Sequence, residues 1–69
     1  MTVPRIVVYP PTPGGGRRVR VDREILGIAR STGELVEFLR RAGADPESID
    51  ITDPAVVEWR GPGPEVWAE

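Results

Sequence analysis

The stretch RRVRVDREILGIARSTGELVEFLRRAGA, residues 17–44, changes its period halfway along, and that change decides the fold. In its first part Val19 and Val21 alternate with Arg18 and Arg20, the two-residue period of a strand with one face buried. Glu24 to Arg30, EILGIAR, continues as a third strand. Asp22-Arg23 falls where a two-residue hairpin turn belongs, pairing Val21 with Glu24, Val19 with Leu26 and Arg17 with Ile28. That register predicts that Val19, Val21, Leu26 and Ile28 share one face. Gly27, inside the strand, marks a bulge or a close backbone approach.

From Ser31 the period becomes helical. Ser31 is an N-cap with Glu34 three residues on, the spacing of a capping box. Leu35, Phe38, Leu39 and Ala42 fall on one face, with Val36 at its flank. Glu37 and Arg41 form an i,i+4 pair, acid precedes base as the helix dipole favours, and Gly43 supplies the stop. The helix is expected over about residues 32–42.

Upstream, RIVVYP (residues 5–10) reads as a first strand ended by its prolines. Residues 10–16, PPTPGGG, form a flexible connector. Downstream, Val56, Val57 and Trp59 form a strand, Gly61-Pro62-Gly63-Pro64 turns, and Glu65-Val66-Trp67 forms a last strand of a loose hairpin. The order β-β-β-α-β-β describes a single α+β domain over residues 1–69: a small, mainly antiparallel sheet with one helix packed on one face. The expected core is Ile6, Val8, Val19, Val21, Leu26, Ile28, Leu35, Phe38, Leu39, Val57 and Trp59.

Composition narrows the chemistry. The 69 residues include no Cys and no His, which removes disulfides, thiolate metal sites and the commonest general base. All nine cations are Arg, and Lys, Asn and Gln are absent, a bias that reads as GC-rich coding rather than as recognition chemistry. Residues 1–30 carry a balance of +4 and residues 31–69 a balance of −6, charges expected to face one another after folding. A net charge of −2 does not suit a generic nucleic-acid binder. No segment reaches the ~18 apolar residues of a membrane span. The start of the chain lacks the apolar core of a signal peptide, so a cytoplasmic protein is expected.

Several motifs come close to chemistry. Gly14, Gly15 and Gly16 before Arg17 and Arg18 hold the ingredients of a phosphate cradle, but they lead into a strand and not a helix N-terminus. Residues 10–13 contain P-x-x-P, a loose match to proline-recognition ligands. Asp45, Glu47, Asp50 and Asp53 lack the glycine and spacing of a calcium loop and read as caps and Asx turns. No cofactor, metal or catalytic residue is assigned, and a non-enzymatic role is expected.

What remains is binding. Trp67, behind the Pro-Gly turn, is the candidate exposed anchor of a protein partner, with Trp59 and Tyr9 beside it. Arg17, Arg18 and Arg20 are candidate contacts for an anion or a nucleic acid. The expected function is a small protein–protein interaction module or adaptor, using an open sheet edge or the Trp67 region, with a second copy of itself as one candidate partner. The alternative is a nucleic-acid-binding accessory protein that uses the arginine-bearing hairpin.

Overall fold

The computed structural model describes residues 5–45 and 47–68. Its elements run β1 (Ile6–Pro11), β2 (Arg17–Val21), β3 (Glu24–Ala29), α1 (Thr32–Arg41) and β4 (Val57–Trp59). They form one sheet in the order β3-β2-β1-β4, an α+β architecture. The β1–β2 and β2–β3 pairs are antiparallel, whereas β4 returns to run parallel to β1, with Ile6 opposite Val57 and Val8 opposite Trp59. The fifth strand expected at residues 65–67 does not form, and the Pro-Gly segment wraps inward instead.

The turn between β2 and β3 closes at Val21↔Glu24, as the alternation implies. Asp22 takes φ 55°, a left-handed value that Asp tolerates better than most residues. Its backbone N–H donates to the Arg5 carbonyl at 2.7 Å, and its carboxylate accepts from the Arg5 N–H at 3.0 Å. Further along, the register departs from simple alternation. Val19 pairs with Gly27 and Arg20 with Ile25, so Leu26 and Gly27 together oppose Val19. This bulge inserts one residue and inverts the facing of everything beyond it. Leu26 still packs against the core, but Ile28, expected inside, lies beside Arg18 on the other face and is 37% exposed; Ala29 is buried in its place.

The helix begins as its caps require. The Ser31 hydroxyl accepts from the Glu34 N–H at 3.2 Å, while the Glu34 carboxylate accepts from the Arg30 N–H, one residue earlier than in a regular capping box. It ends in a Schellman arrangement: Gly43, at φ 88°, donates to the Arg40 carbonyl, and Ala44 donates to that of Leu39. The surface ion pair on this helix joins Glu37 to Arg40, not to Arg41.

Leu35 and Leu39 project from α1 onto Ile6, Val8, Val19, Val21, Ala29 and Val57, all buried. Each leucine contributes roughly 1.5–3 kcal/mol by leaving water. Leu26, Phe38 and Trp59, expected in the core, are half-buried at its rim with Ile49, Ile51 and Trp67. The helix covers one face of the sheet only. No helix among the described residues is long and apolar enough to cross a membrane.

Candidate functional site

Arg17 shares the inward parity of Val19 and Val21 and is fully buried, so it is not the anion contact that its neighbours in sequence suggested. Its guanidinium donates to five backbone carbonyls. Nε meets Tyr9 at 2.8 Å; Nη1 meets Gly63 at 2.8 Å and Val66 at 3.0 Å; Nη2 meets Arg60 at 3.0 Å and Pro62 at 2.9 Å. A guanidinium has five N–H groups, so none is left for a ligand. Burial lowers its pKa, and the nearby Glu65 carboxylate opposes that shift.

Trp59 and Trp67 belong to the same assembly. Their rings meet edge to face, with centroids 5.8 Å apart and planes at 82°, and the Arg17 guanidinium lies against both. Each indole N–H is also spent, Trp59 on the Ile51 carbonyl and Trp67 on the Pro64 carbonyl, both at 2.8 Å. Trp67 therefore closes the end of the core and is not a free anchor. Residues 60–67 fold around a buried cation.

The glycine connector is drawn into this arrangement. Gly15 donates to the Thr12 carbonyl, and Gly16 donates to the Trp67 carbonyl at 2.7 Å, so two amides of the supposed phosphate cradle already have partners. Strand β1 also runs through Pro10 and Pro11 before it ends. Tyr9 and Pro10 bulge there opposite Arg18, and the Tyr9 carbonyl accepts from Arg17 Nε. The acidic loop is occupied locally: Asp45 accepts from Glu47 and Ser48, Asp50 from Thr52, and Asp53 from Ala55. The Thr52 hydrogen bonds lower the pKa of Asp50.

The surface that stays open is the sheet face without the helix. Cross-strand pairing sets Ile25, Arg20, Val7 and Glu58 in one row across all four strands. Ile28 and Arg18 begin a second row, with Tyr9 next to them on β1. Val7 is buried within this face, whereas Ile25 is 52% exposed. Tyr9 is half-buried, with the Arg20 guanidinium 5.8 Å and the Arg60 guanidinium 5.1 Å from its ring centroid.

Charge on this face is unevenly matched. Glu58 is paired with both Arg5 (3.1 Å) and Arg60, and those two hydrogen bonds lower its pKa. Among the described residues Arg18 and Arg20 have no carboxylate partner, and Arg20 Nε is shielded from solvent without an acceptor. Arg5–Glu58 is the one ion pair among the described residues that joins the basic first part of the chain to the acidic second part. The exposed acids Glu34, Glu37, Asp45, Glu47 and Asp50 belong to the helix and the loop after it, and none of them pairs with Arg18 or Arg20. Sequence reasoning found Tyr9, Arg18 and Arg20, but missed Arg60 and Ile28, which the sheet order and the β3 bulge bring to them, and Ile25, which the turn at Asp22-Arg23 already sets opposite Arg20.

The sheet edges are poor templates for strand addition. At one edge β3 is interrupted by the bulge at Gly27, and at the other β4 is three residues long. No family model matches this chain, and neither a curated protein nor a solved structure is significantly similar to it.

Proposed function

We propose that the protein is a non-enzymatic protein–protein interaction module that docks an acidic, partly apolar segment of a partner on the helix-free face of its sheet. The observation that carries this reading is the adjacency, on that face, of the unpaired cations Arg18 and Arg20 to the exposed side chains Ile25 and Ile28. Isolated exposed aliphatics are ordinary, but two in register with two unpaired arginines make a mixed surface suited to a protein partner. The arginines would also suit a phosphate backbone. A base stacking on Tyr9, however, competes with two guanidiniums already against the ring, and the flanking positions offer Ile where a nucleic-acid platform offers aromatics.

The test is selection of peptides from a random display library on the folded protein. Selected peptides should be rich in Asp or Glu together with aliphatic residues, and should lose binding to Arg18→Glu and to Ile25→Ser. Peptides indifferent to both substitutions, or salt-dependent titration by single-stranded oligonucleotides that Arg18→Glu abolishes, would overturn the reading.

A further inference from the structure

Building on that docking reading, we infer that the partner segment is an acidic amphipathic α-helix that lies along β2 and β3 and adds a third layer to the sheet. The face presents two parallel stripes, Ile25 and Ile28 on β3 and Arg20 and Arg18 on β2. Adjacent strands lie ~4.8 Å apart, and a helix with its side chains is ~10 Å wide, so one helix covers both stripes. Arg18 and Arg20 are two residues apart on a strand, ~6.8 Å, close to the ~6 Å that separates positions i and i+4 of a helix. A partner with acids at i and i+4 therefore places one carboxylate at each guanidinium. Aliphatic residues at i+3 and i+7 form the adjoining stripe of that helix and meet Ile25 and Ile28.

An extended segment fits this surface less well. It carries backbone donors and acceptors that need a sheet edge, and the edges here are a bulged β3 and a three-residue β4. A helix satisfies its own backbone and needs only the face. Charge also selects this side of the molecule. Arg18 and Arg20 on the open side attract an acidic helix, whereas on α1 Glu34 and Glu37 are offset by Arg40 and Arg41. A carboxylate arriving there also brings an acceptor to the region of Arg20 Nε, which is shielded and unpartnered.

The experiment uses two synthetic peptides of identical Glu, Leu and Ala composition. One sets Glu at i and i+4 with Leu at i+3 and i+7; the other alternates Glu and Leu as a strand would. Each is titrated into the isotopically labelled protein at low salt and followed by amide NMR shifts, with a mixed single-stranded oligonucleotide as a third probe. The helical-period peptide should move the resonances of Arg18, Arg20, Ile25 and Ile28, and should gain helical circular dichroism on binding. Arg18→Glu should weaken it about tenfold, the sum of a lost attraction and a new repulsion. If the alternating peptide binds the same residues as tightly, the helix inference falls while the docking module stands. If only the oligonucleotide moves them, both fall. If no probe moves them, the helix inference is overturned.

Discussion

The Arg17 guanidinium lies 5.1 Å from the centre of the Trp59 ring, and Trp67 completes the enclosure at 5.9 Å. A buried charge is normally paired with an opposite charge; here five carbonyl dipoles and two aromatic rings surround the cation, and the Glu65 carboxylate acts on it without a hydrogen bond. Because the carbonyls come from Tyr9 and from residues 60–66, the cation ties the end of β1 to the segment after β4. A chain this short buries a small share of its surface, and one well-satisfied polar centre substitutes for missing core.

Arg17→Ala takes the side-chain donor from five inward carbonyls, of which Gly63 keeps only the N–H of Val66, and leaves two indole rings without their cation. A loss of about 3–5 kcal/mol is expected, enough to unfold much of a small domain. Arg17→Lys keeps the charge but has three donors in place of a planar five-donor fork, and should cost about 2–3 kcal/mol. Urea unfolding followed by tryptophan fluorescence measures both, since the reporters are the cage itself. Wild-type midpoints for either variant would show that the cage contributes little.

Trp67→Phe retains a ring but loses the N–H bond to the Pro64 carbonyl and part of the cation–π attraction. The expected cost is about 1–2 kcal/mol. Gly16 donates its N–H to the Trp67 carbonyl, so hydrogen exchange at Gly16 should accelerate in this variant more than exchange in α1. Uniform acceleration would instead indicate global destabilisation alone.

Three glycines should respond differently to alanine. At Gly16, φ is 81° and an added Cβ would stand 2.4 Å from Ile28 Cγ2 and 3.2 Å from the Ala29 carbonyl oxygen. At Gly27, φ is 140° and the Cβ would meet the Phe38 ring at 3.4 Å, an ordinary contact, so the strain there comes from the backbone. Both substitutions should cost about 1–3 kcal/mol, Gly16→Ala the more. Gly14 has neither a positive φ nor a neighbour within 4 Å, and Gly14→Ala should leave thermal stability unchanged.

Stability should fall in acid partly through Glu58. The hydrogen bonds from Arg60 and Arg5 hold its folded pKa below the ordinary glutamate value. Within that window the unfolded chain binds more protons than the folded one, so stability rises with pH. The contribution is complete above the unfolded pKa and is lost as pH falls through the folded one. Asp50, also lowered, acts in the same direction. Urea midpoints across an acidic pH series should show this slope, and Glu58→Gln should flatten it; an identical slope in the variant would exclude Glu58 as a source.

The helix and the β2–β3 turn were legible in the residues because their signals are local. Ser31, Glu34 and Gly43 act within a few positions of themselves, and the alternation from Arg18 to Val21 specifies a face without reference to the rest of the chain. Extended by one residue, the same alternation puts Arg17 on the inward side with Val19 and Val21, although its arginine neighbours grouped it with the outward contacts. Its inward role was hidden because the acceptors that allow an arginine to be buried lie in a distant Pro-Gly segment with no pattern of its own.

By itself, then, the sequence determined the α+β class, the capped helix, the hairpin turn and the outward facing of Arg18 and Arg20, all set by local propensity and period. The tertiary structure decided the rest. The parallel return of β4 beside β1 brought Arg60 to Tyr9 and wound residues 60–67 around Arg17. The bulge at Gly27 turned Ile28 out beside Arg18. Both depend on contacts between residues far apart in the chain, whose energies a local pattern does not encode.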